Sequence, residues 1–409
     1  MKSKLPGTLT ENFSNQIGQY AEWEPAKVIL LCQPALETAF DVLQPNAANF
    51  LHPFSIEQAQ NEHQAFRTHL EGKGIKVIDL RQAMTYGVDE IPAARQKLES
   101  FTRSAICLDT SFLTAESALQ CQSDFEAALA VQDAETLVEL ILLRPTIHLS
   151  QNPEALDPTT ALQARYEISP ASAYYLRDPL ITTRQGCVIG RLRLEKRRPE
   201  NDLAAFALEQ LGIEPILSIE APGCLEGGDF IPGGNFVLQG VGLLSNEEGV
   251  SQCLERRVYG YVEVAIVKDS KAEMDEMHLD TYFALVGPDL CLLCANRIGT
   301  PHEPRLDIYQ PDGSPGEFKY RYRRSTLFTE YLEEKGFKII PFSKSEQANF
   351  ASNGLLTAPY HWVGVDQAGM EFYRRLQEHG VQVETISYNA LTGGYGGPHC
   401  SSQVLARGT

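Results

Sequence analysis

The chain has 409 residues, 43% of them hydrophobic, 22% charged and 9% aromatic, with a formal net charge of −18 at pH 7. This supplies ample core for one large domain with an insertion, or for two to three smaller ones. The acidic excess argues against nucleic acid or an anionic membrane as a partner, because both select Lys/Arg surfaces.

In chain order, Met1-Lys2-Ser3-Lys4-Leu5-Pro6 has no apolar stretch behind its lysines, so no signal peptide is expected. Lys27 to Cys32 is a short apolar run ended by Pro34, predicted as a buried strand. Ser55 to Glu71 reads as a helix with Ser55 as N-cap and Glu57 in the first turn. Gly72 and Gly74 stop it, and Ile75 to Leu80 follows as a strand. Strand, helix, strand is an α/β beginning. Between 83 and 165 the pattern changes. Leu, Phe and Ala recur at helical spacing from Glu116 to Leu143 with almost no strand signal, so an inserted helical subdomain is expected, with Asn152 to Thr160 as its exit linker.

Beyond about 170 the α/β pattern resumes. Strands are predicted at Cys187–Gly190, Asn235–Gln239, Val262–Val267 and Val381–Ile386, with two more turning at Gly287-Pro288-Asp289. Helices are predicted at Glu200–Leu211 behind Pro199, from the cap Asn246 to Arg257, at Ser325–Lys335 and at Gln367–His379. The expected organisation is an α/β domain of recurring strand–helix modules over 1–82 and 166–409, interrupted by the insertion. No apolar run approaches the roughly 20 residues that span a bilayer. The nine scattered cysteines read as reduced thiols of a cytoplasmic protein. Cys291 and Cys294 would point to opposite faces of a strand, which favours packing over a metal pair.

Four constellations carry chemistry. Leu176-Arg177-Asp178-Pro179, Cys224-Leu225-Glu226-Gly227-Gly228-Asp229 and Met277-His278-Leu279-Asp280-Thr281 each place acids at the edge of an apolar segment. The fourth is Gly393-Gly394-Tyr395-Gly396-Gly397-Pro398-His399-Cys400, a glycine-rich loop that ends on a thiol. Each acidic turn alone is ordinary loop chemistry. Together, a thiol, an imidazole and several carboxylates form a coherent catalytic set. The spacing matches no common metal site. A ring of acids is odd around a neutral peptide carbonyl but suits a guanidinium, which is planar, always protonated and matched by paired carboxylates. His399 would point away from the Cys400 side on an extended segment. His52, His63, His69, His148, His302, His361 and His379 belong to no motif and read as surface or packing residues.

The order Arg-Asp-Pro, Glu-Gly-Gly-Asp, His-Leu-Asp-Thr and Gly-Gly-Pro-x-Cys resembles the guanidino-group-modifying superfamily, and within it the arginine deiminases. The likeness runs from Tyr20-Ala21-Glu22-Trp23-Glu24-Pro25 to Cys400 and includes the insertion. It implies a pseudo-fivefold α/β propeller and a cofactor-free, metal-free hydrolase acting on a small guanidino substrate. It leaves room for a homo-oligomer. By resemblance, Cys400 is the nucleophile and His278 the general acid and base. Asp178 and Asp280 grip the guanidinium, and Glu226 completes the carboxylate ring. Asp229, Arg193, Arg197, Tyr395 and Gly397 fall at or behind the substrate. Carboxylates near Cys400 should raise its pKa in the empty site, and a bound cation should reverse that shift.

The chain departs from the resemblance at the amino-acid end of the site. Leu244-Ser245-Asn246 stands where Arg-Thr-Asn is frequent, Tyr395 where an arginine is common, and Ser172 where an asparagine is expected. Arg197 sits where one carboxylate-binding arginine belongs. Either Arg191, Arg193 or Arg198 takes over the lost charges, or the substrate is not free arginine. Amidinotransfer, two-step hydrolysis to ornithine and a silent guanidine-binding protein are the alternatives to simple deimination.

Overall fold

The structure, a computed structural model, describes residues 17–156, 161–314 and 317–408. The opening hexapeptide and the last four residues of the 152–160 linker lie outside these.

Five sheets repeat one pattern. A central strand pairs antiparallel with one neighbour and parallel with a second. In the first, Ala26–Leu31 pairs antiparallel with Gln403–Arg407 and parallel with Lys76–Asp79, which is reached through the helix Ile56–Gly72. In the second, Cys187–Ile189 lies between Leu180–Thr182 and Leu217–Ser218. In the third, Phe236–Val241 lies between Phe230–Pro232 and Glu263–Lys268. In the fourth, Leu290–Cys294 lies between Phe283–Leu285 and Lys338–Phe342. In the fifth, His361–Val365 lies between Leu355–Ala358 and Gln382–Ile386. These are the blades of a pseudo-fivefold α/β propeller, and the last strand of the chain closes the ring on the first. Central strands covered on both faces read as continuous apolar runs, which is why Leu290–Cys294 is buried throughout. The helices begin where their caps predict: Ser55 accepts from Gln58 N–H and Asn246 from Gly249 N–H.

Two expectations need correction. The insertion is not purely helical. Beside the helices Pro92–Ala105, Ala115–Ala130 and Ala134–Leu143 it holds the strands Cys107–Phe112 and Pro145–Gln151, which form a three-stranded sheet with Leu162–Ile168. Leu162–Ile168 is exposed at every residue and Pro145–Gln151 is half-buried, so neither shows the in-out alternation that marks a strand in sequence. Leu98, Leu137 and Ile141 of the insertion share a hydrophobic cluster with Val28, Ile78 and Leu203 of the propeller. The helix expected from Ser325 begins at Phe328, because Ser325 to Leu327 complete the strand Lys319–Leu327, which forms a hairpin with Arg305–Asp312. No helix among the described residues is long and apolar enough to cross a membrane.

The five-blade repeat places the chemistry. Asp178, Glu226, His278 with Asp280, Asn353 and Cys400 each lie just before the first, antiparallel strand of a blade. Five equivalent loops, one from each module, therefore supply the polar groups described next.

Candidate active site

The glycine loop is built to hold Cys400 still. Its backbone N–H and that of Gly397 donate to Asn353 Oδ1 at 3.2 and 2.8 Å. Tyr175 Oη donates to the carbonyls of Leu391 and Gly396 at 2.8 and 3.2 Å. A Cβ on Gly394 would lie 1.5 Å from Tyr174 Oη, so only glycine fits. Cys400 is buried, with Sγ 3.5 Å from Asp280 Oδ2. Burial, then the Asp280 and Asp178 charges, hold its pKa well above the usual thiol range, the direction expected for an empty site.

His278 opens the turn Leu279–Thr281 and packs against the turn Gly227–Asp229. A Cβ on Gly228 would lie 2.7 Å from the ring Nδ1. Asp229 Oδ1 accepts from Leu279 N–H at 2.9 Å and fastens the two turns together. His278 Nε2 bonds Glu226 Oε2 at 3.0 Å, and Nδ1 faces Asp178 Oδ1 at 3.7 Å. Glu226 is itself held by Arg193 N–H at 2.9 Å. Burial alone would lower the His278 pKa, but Asp178, Glu226 and Asp229 override it and raise it to about 10. The ring is therefore an imidazolium at neutral pH. Asp178, Glu226 and His278 are spaced closely enough to hold a metal ion. A metal there would need the neutral ring and would compete with the proton that the surrounding carboxylates favour.

Asp280 is held from behind. Its Oδ2 accepts from His399 Nδ1 at 2.7 Å, His399 Nε2 lies 3.3 Å from Glu22 Oε1, and Glu22 pairs with Arg407 at 3.1 Å. Burial would raise the Asp280 pKa, but the His399 hydrogen bond and nearby cations lower it. Asp178 Oδ1 and Asp280 Oδ1 are buried with no hydrogen-bond donor among the described residues. Orphaned carboxylate oxygens of this kind are costly unless a ligand completes them.

A cavity of about 350 Å³ gathers Cys400, His278, Asp178, Arg193, Arg197 and Tyr395. Glu226, Asp229, Asp280 and Gly397 do not line it, although Asp280 touches the Cys400 thiol. Arg197, placed by the sequence reading at a substrate carboxylate, is engaged by protein acids. Its Nε and Nη2 each donate to Glu200 at 2.8 Å, and its Nη1 to Asp178 at 3.0 Å. Arg191 donates to the Gly223 carbonyl and Arg198 to Glu195, and neither lines the cavity. His399 sits on a turn rather than an extended segment, so its ring reaches Asp280 after all. Sequence reasoning also passed over Glu22, Arg177, Glu200 and Asn353. Arg177 donates through Nε to the His399 carbonyl and through its backbone N–H to that of Cys400, at 3.2 and 3.1 Å.

A family model described as arginine deiminase matches residues 49–407. The chain belongs to the arginine deiminase family. Among curated arginine deiminases, that of Halobacterium salinarum is 26% identical over 410 residues, covering 83% of this chain and 82% of the relative. That of Streptococcus pneumoniae (strain P1031) is 25% identical, covering 96% and 99%. Two solved structures have the same fold at lower identity. Dimethylarginine dimethylaminohydrolase from Pseudomonas aeruginosa, complexed with citrulline, aligns with a TM-score of 0.52 at 15% identity over 92% of this chain and 98% of that one. An amidinotransferase from Microseira wollei aligns with a TM-score of 0.53 at 14% identity over 96% and 98%. Arginine deiminase family membership makes this chain an enzyme acting on guanidino C–N bonds.

Proposed function

We propose that the chain is a cysteine-dependent hydrolase that converts arginine, or an arginine-like guanidine, into the corresponding urea and ammonia. The observation that carries this reading is a buried thiol that shares a cavity with His278 and Asp178 and touches Asp280, with one oxygen of each aspartate orphaned. Asp178 and Asp280 take N–H groups of the guanidinium. The bound cation offsets their charge, and the Cys400 proton leaves to solvent. The thiolate then attacks the guanidinium carbon and forms a C–S bond. His278 gives its proton to the departing nitrogen, the C–N bond breaks and ammonia leaves an amidino-thioether on Cys400. The neutral His278, held by Glu226, next removes a proton from water as the oxygen adds to the carbon. The C–S bond breaks, the hydroxyl proton passes to the thiolate and the urea departs. The released proton and ammonia balance as ammonium. Asp229 acts only by fixing the His278 turn.

The test is to incubate the purified chain with arginine, agmatine and N-substituted arginines and to quantify ammonia and ureido product. Equal amounts of both are expected from at least one compound. Cys400→Ser should lower the rate about 10³-fold or more. Ammonia-free transfer to glycine or ornithine would make the enzyme an amidinotransferase, and ornithine with two ammonia would make it a dihydrolase. Undiminished turnover by Cys400→Ser would overturn the nucleophile assignment.

A further inference from the structure

The far end of the same cavity differs from its reacting end in the charge it offers. Asp41, on the helix Leu36–Val42, lines the cavity that holds Cys400. Its carboxylate accepts one hydrogen bond among the described residues, from Ser172 Oγ at 2.5 Å, and forms no ion pair there. Its carboxylate makes no hydrogen bond or ion pair with Cys400, His278, Asp178 or Asp280 among the described residues. Burial raises its pKa, and the Ser172 hydrogen bond with the Lys196 and Arg197 charges offsets that only in part.

Three cations line the cavity, and only Arg197 is paired with protein acids among the described residues. Arg197 is forked by Glu200 and tied to Asp178. Lys196 Nζ donates to the Ala47 carbonyl. Arg193 and Lys196 both line the cavity without an ion pair among the described residues, and both are exposed, where an ion pair contributes little. Tyr395, Leu243, Leu244, Met274 and Met277 add uncharged wall.

We propose that Asp41 recognises an ammonium group at the end of the substrate remote from the guanidinium, and that a carboxylate there is dispensable. The substrate class is then a guanidine with a primary amine at its far end: arginine, its esters and amides, and decarboxylated amino-guanidines. This rests on the hydrolase reading above. Asp41, held by Ser172, selects the amine rather than the acid.

The measurement is kcat and KM for arginine, arginine methyl ester, agmatine and Nα-acetylarginine, with wild type and Asp41→Asn. The first three should fall within about tenfold in kcat/KM, and Nα-acetylarginine about 10- to 100-fold lower, the loss of one charge-assisted contact. Asp41→Asn should raise KM for the amines with kcat little changed, and should erase the penalty on Nα-acetylarginine. Equal turnover of Nα-acetylarginine and arginine by wild type would overturn the proposal. So would failure of the methyl ester and agmatine beside good turnover of arginine. Calorimetric titration of Cys400→Ala with the same four ligands reads the amine contact without turnover. If none of the four yields ammonia, the hydrolase reading fails, while the binding order still decides the role of Asp41. That order in the Cys400→Ala protein also needs no second variant to fold.

Discussion

At the scale of single residues, the least expected group is His399. It does not touch the cavity, yet it sets which oxygen of Asp280 is occupied and which is free. The hydrogen bond from its Nδ1, with the cations nearby, keeps Asp280 ionised against the cost of burial. Removing the ring leaves that cost less opposed, so the Asp280 carboxyl takes up a proton at higher pH. A protonated Asp280 no longer offers an anion to a guanidinium. For His399→Ala the acid limb of kcat/KM should therefore move to higher pH, with a larger loss at pH 5.5 than at pH 8. Glutamine in its place can still donate and should restore part of the profile. A role confined to packing would lower activity equally at every pH, and that result would exclude the positioning role. Arg197 teaches a related lesson. Its partner Glu200 lies three residues ahead, a spacing at which helical side chains meet, so its capture was readable from the sequence in principle.

At the scale of elements, the loop from Leu391 to Cys400 holds the nucleophile through contacts that leave no room for side chains. Gly394→Ala forces its new Cβ away from Tyr174 Oη and shifts the segment carrying Cys400. A displacement of about 1 Å at a reacting centre can cost roughly 100-fold, so a kcat loss of that order is expected from a folded variant. An unchanged kcat would show that the loop does not set the geometry. The elements also show why some structure was legible and some was not. Central strands were readable because both faces are covered, and helix starts because Ser55 and Asn246 are their own caps. The four motifs of the candidate site were readable because acids, imidazole and thiol stand at the edges of apolar segments, two of them beside turn glycines. The strands at Pro145–Gln151 and Leu162–Ile168 were not, because their side chains are half-exposed or exposed and carry no period. Asn353 and Glu22 escaped notice for another reason. Their work is to hold the Cys400 loop and Arg407 across the fold, and such pairing is fixed by the closing of the ring rather than by any local pattern.

At the scale of the whole molecule, the site exists only when all five blades are assembled, because each contributes one loop to it. Stability and the protonation of the site are therefore linked. His278 binds its proton more tightly in the folded chain, at about 10, than in the unfolded chain, at about 6.5. Its contribution is fully present below the unfolded value and is lost as pH rises through the folded one. Glu200, raised to about 7 by burial, and Asp229, raised to about 6 by burial, act in the same sense; the contribution of Asp229 is largely spent by about pH 7 and that of Glu200 about one pH unit later. Above about pH 8.5 the buried cysteines join them, because unfolded thiols ionise there while Cys187 and Cys253 stay protonated up to about 12. Between pH 7 and 8.5 His278 is thus the largest single contributor. One extra proton held by the folded state corresponds to about 1.4 kcal/mol per pH unit, so unfolding free energy from urea titration should fall by at least about 2 kcal/mol across that window, about 2 kcal/mol of it from His278. His278→Gln should flatten the slope there, since glutamine has no proton to lose. A wild-type stability that is level from pH 7 to 8.5 would mean that His278 is neutral when folded, and the proposed proton donor to the departing ammonia would be gone with it.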